Sequence, residues 1–81
     1  MSKSLHSEKV KAIVADILKV DVDMITEELA IGDIPEWDSV ANIKLLQALE
    51  EKFSIEIDVF DALEAEVIYD FSMLVDKYVK K

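Results

Sequence analysis

A chain of 81 residues is long enough for one small domain with a thin core and too short for two. It contains no cysteine and a single histidine, which excludes a disulfide framework, a thiolate metal site and a cysteine nucleophile, and disfavours enzymatic activity. Eighteen acidic residues against nine lysines give a net charge of −9, which disfavours nucleic-acid binding because that depends on cationic contacts to phosphate.

The acidic charge is concentrated in the middle of the chain. Residues 33–66 hold ten acids and two lysines, whereas the other residues are almost balanced. Such a surface favours basic protein partners through long-range attraction, although a solubilising role alone explains it equally well. Because no stretch resembles a signal peptide or a membrane span, we expect a cytoplasmic protein that does not bind membranes.

The first helix is predicted over residues 7–20. Ser7 is its candidate N-cap, and Lys19 is a favourable cation in its last turn. Residues 1–6 and 80–81, at the two ends of the chain, are expected to be loose. The apolar stripe of this helix consists of Val10, Ile13, Val14, Ile17 and Leu18.

A long connection follows over residues 21–38. The chain's single glycine and single proline, Gly32 and Pro35, mark it as the one obvious loop. Residues 26–28 indicate a turn or a short helical piece. Four apolar residues are expected to pin the loop onto the core: Ile25, Leu29, Ile31 and Ile34.

The second helix is predicted over residues 39–53. Its apolar stripe is Val40, Ile43, Leu46, Leu49 and Phe53. Leu45 widens this stripe, so the helix is expected to touch neighbours on more than one side. Residues 54–57 alternate polar and apolar, but with no second strand to pair with they indicate an extended link whose isoleucines fill the core.

Two further helices complete the chain. Asp58 is the expected cap of a short helix over residues 59–65, and Asp70 is the expected N-cap of a last helix over residues 71–79. The sequence therefore predicts an all-α fold, a four-helix bundle with a long first loop and a short third helix. All 81 residues are expected to form one domain.

Ser39 is one of three hydroxyl residues that precede proposed helical segments, and most such residues only cap. Its surroundings are more specific: Asp-Ser-Val at 38–40 opens the second helix, and Leu-Glu-Glu-Lys-Phe at 49–53 is followed by Ile-Glu-Ile at 55–57. With these motifs the chain resembles the acyl carrier proteins and the related peptidyl carrier domains. The resemblance covers roughly residues 8–80.

That resemblance implies a covalent cofactor on Ser39. In the family, a phosphopantetheinyl transferase moves 4′-phosphopantetheine from coenzyme A onto the serine hydroxyl, and the arm's thiol then holds an acyl or aminoacyl group as a thioester. A phosphodiester suits a helix N-terminus, where free N–H groups and the dipole favour an anion. Asp38 is expected to cap the helix or to be recognised by the transferase, and the two roles are compatible.

The resemblance also implies partners and a monomeric, non-catalytic carrier. An acyl- or aminoacyl-loading ligase or transferase and downstream synthases of fatty acid or secondary metabolite biosynthesis would act on it. Ala41, Lys44 and Gln47 replace the acidic and apolar residues that fatty-acid carriers often have there, which indicates a specialised pathway. The candidate partner-binding residues are Glu36, Trp37, Val40, Glu50, Glu51, Asp61 and Glu64. For Trp37 the alternative is a residue packed over the first loop.

Three other possibilities are weighed beside this interpretation, and one of them is rejected. The first is an unmodified acidic helical adaptor that binds a basic partner and uses Ser39 only as a cap. The second concerns an interior cleft for cargo, whose candidate lining is equally explained by core packing: Ile43, Leu46, Ala62 and Leu63. The third is a calcium-binding loop of the EF-hand type, which we reject because residues 21–23 have no continuation to the required glycine and glutamate; loose divalent binding by carboxylates stays open.

Overall fold

The computed structural model describes residues 6–79. They form four α-helices and one short 3₁₀ turn, which confirms the predicted all-α fold and its element order. The helices are α1 (Ser7–Leu18), α2 (Ser39–Phe53), α3 (Val59–Glu64) and α4 (Ile68–Val79), and the 3₁₀ turn is Val22–Met24. The bounds of α2 are as predicted, whereas α1 ends two residues earlier and α4 begins three residues earlier.

Helix α1 contributes one face to the core. Val10 and Val14 have no exposed surface and Leu18 is 4% exposed, so the predicted stripe is confirmed. The predicted N-cap is wrong, since Ser7 is the first helical residue and is itself buried. His6 precedes the helix, and its imidazole Nδ1 lies 2.6 Å from the carboxylate of Asp76 on α4.

This contact corrects the prediction that His6 belongs to a loose end. Besides pairing with Asp76, the ring packs edge-on against Phe53 at a centroid distance of 5.3 Å. His6 therefore joins the start of α1 to the end of α2 and to α4. The other residues of the predicted loose ends, 1–5 and 80–81, lie outside the described residues.

Helices α1 and α2 end in the same way. Lys19 and Ser54 follow them with φ angles of 59° and 55°, in the left-handed region that glycine usually occupies. The next amides, of Val20 and Ile55, each reach back to a carbonyl five residues earlier. Lys19 is thus the residue that closes α1 and does not lie in its last turn as predicted.

The first loop is tied to the start of α4 by main-chain hydrogen bonds. The amides of Ile68 and Tyr69 donate to the carbonyls of Leu29 and Glu27, at 3.0 Å and 2.9 Å. Among residues 6–79 the β-type pairing is one isolated antiparallel bridge, between Ala30 and Val67. These bonds satisfy amides at the α4 N-terminus that otherwise lack helical partners.

The apolar residues of the loop divide into three groups. Ile25 is buried, Leu29 and Ile34 are half-buried against the core, and these three pin the loop as predicted. Ile31 is 39% exposed, so its predicted role in pinning the loop is wrong. The predicted turn at residues 26–28 is confirmed by a hydrogen bond from the Leu29 amide to the Thr26 carbonyl.

Helix α2 buries only part of the apolar surface predicted for it, and Leu46 and Phe53 of that stripe are half-buried against the core. Leu45 and Leu49 have no exposed surface, whereas Val40 and Ile43 are 62% and 58% exposed. The reason is that α2 packs against α1 and α4, while α3 packs against α4. The α2 surface that carries Val40 and Ile43 therefore stays open to solvent.

The last two helices begin with aspartate contacts of different kinds. Asp58 caps α3 as predicted, with its carboxylate accepting from the Phe60 amide at 2.8 Å. Asp70 is not the N-cap of α4 but its third residue, and its carboxylate reaches back to the amides of Glu66 and Val67. This backward contact is half of a capping box. The link before α3 is extended, as predicted, with half-buried isoleucines.

Within residues 6–79 we find no helix that combines the length and the apolar character needed to cross a bilayer.

Candidate functional site

Ser39 is the first residue of α2, and its side chain is exposed. The residue that caps the helix is Asp38, whose carboxylate oxygen accepts from the Ala41 amide at 2.9 Å. The Asp38 carbonyl accepts the first helical bond, from the Asn42 amide, also at 2.9 Å. The capping role that the adaptor alternative gave to Ser39 is therefore wrong, because the cap is the aspartate before it.

The end of the helix at Ser39 suits an attached phosphodiester. The first three amides of a helix have no carbonyl partner within it, and here the cap satisfies only the one at Ala41. The amides of Ser39 and Val40, together with the positive end of the helix dipole, can stabilise an anion on the serine oxygen. An exposed hydroxyl at this position thus fits the group that the sequence predicts for it.

The loop before Ser39 is built from two consecutive turns. In the first turn, residues 30–33, the Asp33 amide donates to the Ala30 carbonyl at 3.0 Å, and Gly32 has a φ angle of 91°. A positive φ at the third position is the requirement of a type II turn. In the second, residues 34–37, Pro35 occupies the second position, which its fixed φ favours. The two turns place Trp37 and then Ser39.

Trp37 lies inside the core, which corrects its prediction as a partner-binding residue. It has no exposed surface, and its ring lies 5.9 Å from that of Phe71 on α4. The alternative interpretation, a packed residue, is confirmed. Its indole N–H donates to the side-chain oxygen of Asn42 at 3.1 Å. The sequence reasoning missed Asn42, although an asparagine inside a helix five residues after a tryptophan is a usable signal.

The acidic residues predicted to bind partners fall into two groups. Glu36, Glu51 and Glu64 are exposed. Glu50 and Asp61 are half-buried and have contacts within the chain: the Glu50 carboxylate accepts from the amide of Ile57 at 2.8 Å, while Asp61 binds two side chains of α4. The second group therefore has a structural role in addition to any part in recognition.

Asp61 joins α3 to α4. Its carboxylate accepts from the Tyr78 hydroxyl and from the Lys77 ammonium group, the latter at 3.1 Å. The hydrogen bond to Asp61 raises the pKa of both groups, since it favours the protonated form of each. The Tyr78 oxygen also accepts from the Asp58 amide at 3.1 Å, so one hydroxyl contacts both the cap and the middle of α3.

The most exposed apolar side chains of residues 6–79 lie on α2 and α3. Of the four residues proposed for an interior cleft, Ile43 is 58% and Leu63 is 73% exposed, so core packing does not account for them. Ala62 is buried and Leu46 is half-buried. The other strongly exposed apolar residues of these two helices are Val40, Val59 and Phe60. Among residues 6–79 there is no group of three or more histidines and acids arranged to hold a metal ion.

The family model described as the phosphopantetheine attachment site matches residues 8–75. The chain belongs to this family. Two curated relatives are acyl carrier proteins: that of Thermosynechococcus vestitus is 39% identical over 70 residues, which is 86% of each chain. That of Campylobacter jejuni subsp. doylei is 37% identical over 73 residues, 90% of this chain and 95% of the relative.

The fold agrees with that of a solved carrier. The solution structure of the holo acyl carrier protein from Geobacter metallireducens superimposes with a TM-score of 0.82, at 24% identity, over 91% of this chain and 85% of that one. The predicted family, fold, carrier function and phosphopantetheine cofactor are thereby confirmed. The protein is a phosphopantetheine-bearing acyl carrier.

Proposed function

We propose that Ser39 is the residue to which the phosphopantetheine arm is attached. The observation that carries this proposal is an exposed serine on the first turn of α2, freed from capping by Asp38. In the reaction, the Ser39 oxygen attacks the pantetheine-bearing phosphorus of coenzyme A and an O–P bond forms. The diphosphate P–O bond breaks, adenosine 3′,5′-bisphosphate leaves, and the serine proton passes to a base of the transferase.

The chain's own residues hold the modified serine. The amides of Ser39 and Val40, at the N-terminus of α2, would stabilise the phosphodiester, and the α2 dipole would favour its negative charge. The attached arm supplies a thiol that carries cargo as a thioester. The chain has no cysteine of its own to do so.

We propose that the carrier is non-catalytic and works in the cytoplasm. Its partners are a phosphopantetheinyl transferase, a ligase or transferase that loads acyl or aminoacyl groups, and the synthases that use them. A specialised biosynthetic pathway is supported by Ala41, Lys44 and Gln47, since all three lie on α2 close to the attachment point and none is acidic.

Partner recognition would then combine contacts beside Ser39 with charges further along α2 and on α3. Val40 is 62% exposed beside it and offers an apolar contact, and the exposed carboxylates of Glu36, Glu51 and Glu64 offer charge for a basic partner. Glu36→Lys is expected to lower kcat/KM with the transferase and to weaken its dependence on salt. Asp16→Lys, at an exposed position of α1, is the matched control. An equal loss of kcat/KM in that variant would show that net charge, and not the position of Glu36, accounts for the attraction.

The attachment itself is tested by intact mass. The unmodified chain is incubated with coenzyme A, Mg²⁺ and a broad-specificity transferase, and its mass is expected to rise by about 340 Da. Ser39→Ala is expected to abolish the gain, whereas Ser54→Gly, which removes an exposed serine at the other end of α2, keeps it. A chain that gains no mass while a control carrier does so would contradict the proposal and favour the adaptor.

A further inference from the structure

Trp37, two residues before Ser39, is held by both its side chain and its backbone. Its side chain is the largest of those fully enclosed by the core, and it contacts the ring of Phe71. Its amide donates to the Ile34 carbonyl at 3.1 Å, and its carbonyl accepts from the Gly32 amide at 3.0 Å. The backbone that enters α2 is therefore fixed on the side of the loop.

The indole N–H of Trp37 makes a second connection, on the side of the helix. A donor enclosed in the core is costly unless it finds an acceptor. Here the acceptor is the side-chain oxygen of Asn42, the fourth residue of α2, at 3.1 Å. Asparagine is a weaker helix former than alanine or leucine, so this half-buried residue is better explained by its bond to the indole than by the helix itself.

Trp37 and Asn42 bracket the segment that contains Ser39. Their side-chain bond closes a ring around residues 38–41, and within it the Asp38 carboxylate holds the Ala41 amide at 2.9 Å. We propose that Trp37 and Asn42 are positioning residues, which hold the Ser39 hydroxyl in the orientation that the transferase requires. This inference rests on the proposed attachment at Ser39.

The kinetic consequence follows from where the two residues lie. Trp37 has no exposed surface, so the enzyme cannot contact it directly, and Asn42 is half-buried. Loss of the clamp, meaning the Trp37–Asn42 bond, therefore acts on the geometry of the reacting oxygen. A displacement of about 1 Å of a reacting group costs on the order of 100-fold in rate. The effect is expected in kcat, with KM nearly constant.

Three variants separate the bond from packing. Asn42→Leu removes the acceptor at similar size, Asn42→Asp restores an acceptor oxygen, and Trp37→Phe removes the donor but keeps an aromatic ring. With purified transferase, Asn42→Leu is expected to lower kcat about tenfold or more while KM stays within about threefold. Asn42→Asp is expected to recover most of kcat. Val14→Ala, at a fully buried site on α1, is the control that loses stability without loss of kcat.

The double variant tests whether the two residues act through one bond. The double variant with Trp37→Phe and Asn42→Leu is expected to lose no more kcat than Asn42→Leu alone. The Trp37–Asn42 bond is already absent once Asn42 is replaced, so the second substitution has no bond left to remove. If Asn42→Leu does not fold, Trp37→Phe decides the question through its own kcat. Wild-type kcat in a folded single variant, or a loss confined to KM, would overturn the clamp.

The intact-mass experiment on the wild-type chain and Ser39→Ala separates this inference from the proposed function. If the wild-type chain is modified and Ser39→Ala is not, attachment at Ser39 stands whatever the clamp variants do. If the wild-type chain takes up no arm, or Ser39→Ala is still modified, the proposed attachment fails and the clamp's role in positioning Ser39 fails with it.

Discussion

Asp38 combines two proposed roles, as the cap of α2 and as a residue recognised by the transferase, and substitution can separate them. Its carboxylate accepts from the Ala41 amide at 2.9 Å, and the side chain is exposed. Asp38→Ala removes both the acceptor and the charge. Asp38→Asn removes the charge but keeps an oxygen that caps about as well.

The structure sets the size of the stability effect. Loss of an aspartate N-cap costs about 1 kcal/mol, and the carboxylate adds roughly 0.3–1 kcal/mol through its position at the helix N-terminus. Because the domain is small, 1 kcal/mol corresponds to a fall in Tm of about 4–8 °C. We therefore expect Asp38→Ala to lower the free energy of unfolding by about 1–2 kcal/mol, and Asp38→Asn by about 0.3–1 kcal/mol.

Urea unfolding, monitored by far-UV circular dichroism, measures the capping role of Asp38. The kcat/KM of the transferase measures its role in recognition. We expect both variants to lose kcat/KM, although only Asp38→Ala loses the cap. Asp16→Asn, an exposed aspartate on α1, controls for the change in net charge. Wild-type stability in Asp38→Ala would refute the capping argument, and wild-type kcat/KM in Asp38→Asn would refute recognition.

Four further substitutions test the packing of α2, the Tyr78–Asp61 bond and the end of α2. Leu49→Ala is expected to cost about 2–5 kcal/mol because Leu49 is fully enclosed, whereas Ile43→Ala, at a 58% exposed site, costs less than about 1 kcal/mol in the same urea titration; equal losses would contradict the orientation of α2. Tyr78→Phe is expected to destabilise the fold at neutral pH. Because the bond to Asp61 raises the Tyr78 pKa above its ordinary value of 10.0, that stabilisation is present below pH 10.0 and is lost as the pH rises through the folded-state pKa. The difference in free energy of unfolding between the wild type and Tyr78→Phe should thus shrink at alkaline pH. A difference that does not change with pH would contradict the link between this stabilisation and the ionisation of Tyr78. Ser54→Gly is expected to raise the free energy of unfolding by about 0.5 kcal/mol, because glycine adopts the positive φ of 55° more easily; a loss of stability would contradict this account of the helix end.

The start and end of α2 could be predicted because local signals mark them. Asp38 is a strong capping residue directly before an apolar-periodic run, and the run stops at Phe53. Such signals act within one turn of helix and do not depend on the rest of the chain. The capping of α3 by Asp58 follows from the same local chemistry.

The exposure of Val40 and Ile43 within the apolar surface of α2 could not be predicted from the periodicity of the helix. Two overlapping apolar stripes are present, and the helix neighbours decide which is covered: Leu45 and Leu49 face α1 and α4, and Val40 and Ile43 face no helix that encloses them. The burial of Trp37 depends on tertiary contacts in the same way, since it requires Phe71, far along the chain, and an acceptor for the indole.

The start of α4 and the cap of α1 also depend on distant contacts. Asp70 has the composition of an N-cap, but the carbonyls of Glu27 and Leu29 satisfy amides at the start of α4 and the helix begins three residues before the predicted position. Ser7 likewise has the composition of a cap, but it is the first residue of α1, and His6, which pairs with Asp76 on α4, stands at the N-cap position.

The most direct test of the account is the position of the arm in the modified chain. Cleavage after lysine releases residues 20–44, a peptide in which Ser39 is the single serine and Thr26 the single threonine. Tandem mass spectrometry of this peptide is expected to place the added mass of about 340 Da on Ser39. The same mass on Thr26, or on any other peptide of the chain, would contradict the central claim.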